Sequence, residues 1–190
     1  MGRASKEQAE KHREELIEAA SQLFRERGVD GVSVPELTAS AGLTHGAFYR
    51  HFGSKEELAQ IACASAFEEQ IAGLRDFKEN AEDPERAFID FYLSDPHRSD
   101  VAHGCPLASL SGEVARTEPD SPVRASFVAG VRAFADGVEA LAGDGSPEHR
   151  AESLARLSML MGALSLSRAT EGDPISEEIV DAVRAALERA

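Results

Sequence analysis

Five side chains that can bind a metal or transfer a proton lie close together in the middle of the chain. They are Asp95, His97, Asp100, His103 and Cys105. Their spacing does not match the compact Cys and His patterns of structural zinc sites. A cysteine nucleophile beside a histidine would also need an orienting acid and a cleft that excludes water, and neither can be identified. We therefore predict no metal, no cofactor and no enzymatic activity.

Cys105 could have a reactive thiol, because it comes directly before Pro106 at a predicted helix start. The N-terminus of a helix can lower the pKa of a thiol and make it reactive. One hypothesis is that Cys105 is a sensor thiol, and the alternative is that it is a small hydrophobic side chain in the core. Cys63 lies among alanines, and we interpret it as a packing residue.

A second group of reactive side chains lies in LTHGAFYRHFGSKEEL, positions 43–58, which contains two histidines, an arginine, a lysine and three aromatic residues. The whole chain is acidic, with a net charge of −14, but the first 53 residues carry 7 Lys and Arg against 8 Asp and Glu. An acidic chain is unsuited to coating nucleic acid without specificity. A small docking surface within the near-neutral segment remains compatible with this charge.

The elements that position these residues are predicted to be helices, because helical periodicity recurs along the chain and strand-like alternation does not. We expect an all-α fold of about nine helices, with a three-helix N-terminal unit over 1–53 and a helical bundle over 54–190. Ser33 with Glu36, and Ser54 with Glu57, form capping-box patterns that start two of these helices. The predicted helices are 5–27, 35–40, 44–51, 54–77, 84–93, 105–116, 121–141, 147–170 and 174–189.

The second and third predicted helices are joined at Ala41-Gly42-Leu43, where Gly42 can supply the left-handed backbone of a tight turn. This arrangement is typical of a helix-turn-helix, whose second helix reads bases in the major groove. Gly46 would let that helix approach DNA closely, and Tyr49 lies three residues later on the same face. We expect Phe48 and Phe52 to pack in the core instead.

The segment GVDGVSVPELTASAGLTHGAFYRHFGSKEEL resembles the DNA-binding signature of TetR-type (TetR/AcrR) transcriptional regulators. The resemblance covers roughly residues 10–60. It implies an all-helical homodimer that binds a double-stranded DNA operator through its N-terminal domain. It also implies a C-terminal domain that binds a small-molecule effector and thereby releases the operator. Because a dimer of this kind has two-fold symmetry, we expect a palindromic operator.

The resemblance also implies which residues contact DNA. Those expected to face bases and phosphates are Thr44, His45, Gly46 and Tyr49, and those expected to contact the backbone are His51 and Lys55. Lys55 has an independent reason, because it lies in the first turn of a helix, where free N–H groups favour a phosphate. Arg50 lies beside these residues, and it or His51 could instead be an ordinary solvated side chain. Ser33 could take over a phosphate contact, because this chain has Val34 where the family often has Thr.

The C-terminal region contains scattered aromatic residues that could line a mostly apolar ligand cavity. The residues predicted to line it are Phe67, Phe88, Tyr92, Cys105, Phe127, Val131 and Phe134. Each could equally belong to the core of a helical bundle. No charged residue indicates which ligand would bind.

The last two predicted helices carry an apolar series that could form a dimer interface or an intramolecular core. Its members are Leu154, Leu157, Met161, Leu164, Ile179, Val183 and Leu187. No apolar run approaches the roughly 20 residues that cross a bilayer, no signal peptide is evident, and two cysteines make no disulfide framework. We therefore predict a cytoplasmic protein without membrane association. The alternative function is a small-molecule-binding or catalytic helical protein with a vestigial helix-turn-helix.

Overall fold

The computed structural model describes residues 2–142 and 146–189. Within these ranges the chain forms ten α-helices and no β-strand, which confirms the all-α prediction. None of the described helices is both long and apolar enough to span a bilayer. Residues 143–145, in the predicted connection between helices 121–141 and 147–170, lie outside the described residues. The helices are α1 (Gly2–Arg27), α2 (Val34–Ser40), α3 (His45–His51), α4 (Lys55–Asn80), α5 (Pro84–Tyr92), α6 (Asp95–Ser99), α7 (Pro106–Val114), α8 (Pro122–Ala142), α9 (Pro147–Ala169) and α10 (Ile175–Leu187).

The additional helix is α6, which the sequence analysis assigned to a loop. Ser94 caps it by accepting a hydrogen bond from the His97 N–H at 3.4 Å, and Pro96 lies in its first turn. Arg98 holds it to α10 through a 2.5 Å ion pair with Glu177. A helix of five residues is too short to show a hydrophobic period. Its stability comes from its caps and its neighbours.

Local signals define the starts of α2 and α4. The Ser33 hydroxyl accepts from the Glu36 N–H at 3.4 Å, and the Glu36 carboxylate accepts from the Ser33 N–H at 2.8 Å, which completes the predicted capping box. At α4 the Ser54 hydroxyl accepts from the Glu57 N–H at 3.0 Å. The Glu57 carboxylate, however, accepts from the Gly53 N–H at 2.7 Å instead of closing the box on Ser54.

The core of the molecule forms around α4, which packs against α1 on one side and α8 on the other. Two glycines seven residues apart on α8 allow this close approach. A Cβ atom at Gly130 would lie 2.1 Å from the Phe67 ring, and one at Gly137 would lie 2.8 Å from Leu74. Because real Cβ atoms do not come so near their neighbours, the distance between α4 and α8 depends on these two residues.

Candidate nucleic-acid interface

The turn between α2 and α3 has the geometry that the glycine predicted. Gly42 adopts a left-handed backbone with φ of +68°. The Leu43 N–H donates to the Thr38 carbonyl at 2.7 Å, and the Gly42 N–H donates to the Ala39 carbonyl at 3.0 Å. These bonds satisfy carbonyls at the end of α2 and fix the direction in which α3 leaves the turn.

The inner side of α3 packs against the core. Phe48 and Phe52 are buried together with Leu37 of α2 and Phe24 of α1. Their rings lie 5.7 Å apart, centroid to centroid. This burial confirms that the two phenylalanines are core residues and fixes which side of the short helix faces away from the protein.

The opposite side, which we call the outward face, consists of Thr44, His45, Gly46, Tyr49 and Arg50, and all five residues are exposed. Tyr49 is 59% exposed, and its ring stands edge-on to His45 at 5.4 Å. A Cβ atom at Gly46 would meet nothing within 4 Å. Within the described residues, neither the Thr44 hydroxyl nor the Arg50 guanidinium forms a hydrogen bond. The outward face therefore offers donors, an aromatic ring and a bare stretch of backbone to a partner.

Charged groups of α1, including both Arg13 and Glu10, lie near the end of α3. His51 is half-buried, and this burial lowers the pKa of its imidazole, which His12, Arg13 and Arg50 lower further by charge repulsion. The Arg13 guanidinium lies 5.5 Å from the centre of the Phe52 ring. Sequence reasoning did not find this contribution of Arg13, because the two residues that it approaches are almost 40 positions away.

Lys55 and Ser33 are engaged within the protein. The Lys55 ammonium donates to the Val29 carbonyl at 2.9 Å and to the Val32 carbonyl at 3.1 Å. The Ser33 hydroxyl donates to the Glu36 carboxylate at 2.6 Å. A phosphate contact from either side chain stays a prediction, and it would have to compete with these bonds.

The residues predicted to line a ligand cavity are brought together, but they pack against one another. The Phe67 and Phe127 rings lie 5.5 Å apart, and the Phe88 ring lies 5.4 Å from Tyr92 and 6.2 Å from Phe134. Of the seven, only Phe127 and Val131 are partly exposed. A cleft of about 1010 Å³ lies elsewhere, between α1, the start of α4 and α7.

Cys105 is completely buried, which favours the core interpretation over the sensor thiol. Burial raises the pKa of the Cys105 thiol, and it raises the pKa of Cys63 to about 11. The His103 ring contacts the Asp100 carboxylate at 3.0 Å. No three His, Cys, Asp or Glu side chains among the described residues are grouped so as to hold a metal ion.

Comparisons with known proteins decide the family. Residues 16–61 match the model of the bacterial regulatory proteins of the tetR family. An uncharacterized HTH-type transcriptional regulator of Mycobacterium tuberculosis is 31% identical over 164 residues, which cover 82% of this chain and 84% of the relative. The chain belongs to the TetR family of transcriptional regulators.

Other TetR-family proteins extend the likeness in two ways. The HTH-type transcriptional regulator TtgR of Pseudomonas putida is 41% identical, but over 68 residues that cover 36% of this chain and 32% of TtgR. The crystal structure of a TetR transcriptional regulator from Chloroflexus aurantiacus covers 96% of both chains with a TM-score of 0.78 and 25% identity. The likeness to TtgR is thus confined to part of the chain, whereas the fold of the Chloroflexus aurantiacus protein is shared over almost all of it.

Proposed function

We propose that this TetR-family protein is a dimeric repressor that binds a palindromic operator and releases it when a small molecule binds. The observation that supports the proposal most strongly is the outward face of α3. In a chain with a net charge of −14, this face exposes no carboxylate, and it presents Tyr49, Arg50 and a backbone without a side chain at Gly46. A helix in the major groove needs such donors and close contact.

Dimer formation is supported by the stretch of α9 from Leu154 to Leu166, whose exposed residues are all uncharged. Leu154, Met159 and Leu166 are exposed, with Ala155, Ser158 and Gly162 between them. An apolar surface of this kind marks an interaction site, and a second copy of the chain is the partner that a two-fold operator requires. By contrast, the exposed side of α10 carries Glu178 and Asp181 beside Ile175, and these two carboxylates would repel a second copy.

Placing the dimer surface on α9 changes the dimer interface that the apolar series of the last two helices suggested. Leu157, Leu164 and Leu187 are buried within one protomer, and Met161, Ile179 and Val183 pack against the same core. We therefore assign the dimer surface to the exposed side of α9, and α10 stabilises that helix from within the protomer.

An effector site is supported by the cleft between α1, α4 and α7, because its volume of about 1010 Å³ reaches the upper range of small-molecule sites. The cleft lies at the boundary between segments 1–53 and 54–190, which we propose to be the DNA-binding and effector-binding domains. A repressor of chromosomal genes would act in the cytoplasm. Effector binding would favour a conformation in which the two α3 helices lose the operator spacing.

The proposal is tested with Gly46→Ala. The added methyl group has free space in the protein, so the variant should melt at or above the wild-type temperature. Binding to the duplex that flanks its own gene, measured by fluorescence anisotropy, should weaken about tenfold because the methyl group keeps the backbone from the groove. Gly73→Ala on α4 also adds a methyl group in open space, and it should bind DNA as the wild type does.

Equal operator binding by Gly46→Ala and Gly73→Ala would show that this face of α3 does not enter the groove. A wild-type protein that binds no flanking DNA even at low salt would support the alternative, a small-molecule-binding or catalytic helical protein with a vestigial helix-turn-helix.

A further inference from the structure

The loop between α1 and α2, residues 28–32, is held by two side chains that lie outside helices α1–α3. Glu113 of α7 accepts hydrogen bonds from the Val29 N–H at 2.9 Å and from the Asp30 N–H at 3.0 Å, one at each carboxylate oxygen. Lys55 of α4 donates to the carbonyls of Val29 and Val32. An acid from α7 and a base from α4 therefore bind opposite polar groups of the same loop. We call this arrangement the loop clasp.

The backbone at Gly28 accommodates the clasp. Gly28 has a φ of +74°, a conformation that favours glycine. A Cβ atom there would lie 2.8 Å from a Glu113 carboxylate oxygen. Bonds from backbone N–H groups to a carboxylate are charge-assisted and about twice as strong as neutral ones. Glu113 and its two partners are 84 and 83 residues apart, so tertiary structure alone brings them together.

A second contact between the N-terminal region and the rest of the protein involves α1 itself. The buried Arg25 of α1 donates to the Gly104 carbonyl at 3.1 Å and to the Glu69 carboxylate at 2.9 Å. This contact fixes the end of α1 to α4 and to the segment before α7. The loop that follows α1 connects it to α2 and α3, so the orientation of these two helices also depends on that loop. Glu113 binds this loop.

We propose that Glu113 is a positioning residue for operator binding. By holding the loop, it fixes α2 and α3 relative to the C-terminal helices, and so it sets the separation of the two α3 helices in a dimer. The inference rests on the proposed function, since the separation matters only to an operator with two half-sites. Glu113, Lys55, Val29 and Asp30 also line the large cleft, so a molecule bound there would touch the clasp directly.

The test uses Glu113→Gln in the full chain. The amide keeps the side-chain size, but its NH₂ group faces one backbone N–H, so one bond is lost and the other is no longer charge-assisted. The matched control is Glu118→Gln, which removes the same charge at the same cleft. Within the described residues, the exposed Glu118 side chain makes no hydrogen bond or ion pair. Anisotropy is measured with two duplexes, one carrying the complete operator and one carrying a single half-site.

For Glu113→Gln we expect about tenfold weaker binding to the complete operator and half-site binding within twofold of wild type, because each α3 is intact and only their relative placement is lost. Amide hydrogen exchange at Val29 and Asp30, measured without DNA, should be faster than in the wild type. The Glu118→Gln variant should match the wild type in all three measurements.

Three results would overturn the inference. They are unchanged exchange at Val29 and Asp30, unchanged binding to the complete operator, and equal losses on the half-site and the complete operator, which would indicate local damage to α2–α3. Failure of the proposed function would look different, because the wild-type protein would then bind neither duplex.

Discussion

The outward face of α3 and the junction of α4, α5, α6 and α8 use the same residue types in opposite ways. Tyr49 is 59% exposed and Tyr92 is 1% exposed. A methyl group at Gly46 would meet open space, but one at Gly130 would enter the Phe67 ring. His45 is exposed and His97 is buried. The comparison shows that surroundings, rather than residue type, decide whether a residue supports recognition or packing.

The largest effect is expected at Gly130. Gly130→Ala should lower the free energy of unfolding by about 1–3 kcal/mol, because the added methyl group overpacks the contact between α4 and α8. Calorimetry should show a melting temperature lower by about 2–4 °C for each kcal/mol. Gly73→Ala should raise it slightly, since its Cβ meets nothing within 4 Å. Similar melting temperatures for the two variants would contradict a close approach at Gly130.

The second effect concerns the exposed tyrosine. Tyr49→Ala should weaken operator binding about tenfold or more, while the melting temperature changes little, because most of the ring is solvent-exposed. Phe91→Ala on α5 removes a ring that is 45% exposed, and it should leave operator affinity unchanged in the same anisotropy assay. A matching loss of affinity in both variants would remove the distinction between the outward face and other exposed aromatic residues.

A third effect follows from the buried histidine. Burial lowers the pKa of His97 below its ordinary value of 6.5. The unfolded state therefore binds a proton on this side chain more readily than the folded state does. The stabilisation is present at higher pH and is lost as the pH falls below about 6.5, by up to about 1.4 kcal/mol per pH unit. Denaturant unfolding at pH 7.5 and pH 5.5 should show a larger loss in the wild type than in His97→Gln. Equal losses would mean that the pKa of His97 is not lowered in the folded protein.

The smallest effect is expected at the buried tyrosine. The Tyr92 hydroxyl lies beside the Cys105 thiol, but within the described residues it makes no hydrogen bond of normal geometry. Tyr92→Phe should therefore change the free energy of unfolding by less than about 0.5 kcal/mol, because no bond is lost and a buried polar group is removed. A destabilisation above about 1 kcal/mol would show that the hydroxyl is hydrogen-bonded in solution.

The helices of this protein and its helix-turn-helix could be predicted because their signals are local. The sequence shows these signals directly, because the caps at Ser33 and Ser54 and the turn at Gly42 depend on residues three to five positions apart. Helix α6 was missed because its five residues are too few to show a hydrophobic period.

The candidate site was predicted in part. The helical period of α3 predicted an exposed face once Phe48 and Phe52 were assigned to the core. The residues on that face are Thr44, His45, Gly46, Tyr49 and Arg50. The engagement of Lys55 could not be predicted, because the carbonyls that it binds lie 23 and 26 residues away. The aromatic residues assigned to a cavity contact one another, but periodicity does not distinguish a packed interior from a lined space.

The sequence by itself determined the approximate bounds of the described helices other than α6, which side of α3 is apolar, and the family signature of residues 10–60. Tertiary structure alone decided that Cys105 is buried, that Glu113 binds the loop before α2, and that the exposed apolar surface lies on α9 rather than α10. The physical reason is range. Hydrogen bonds within one helical turn depend on neighbouring residues, whereas burial and contacts between distant segments depend on how all the helices pack together.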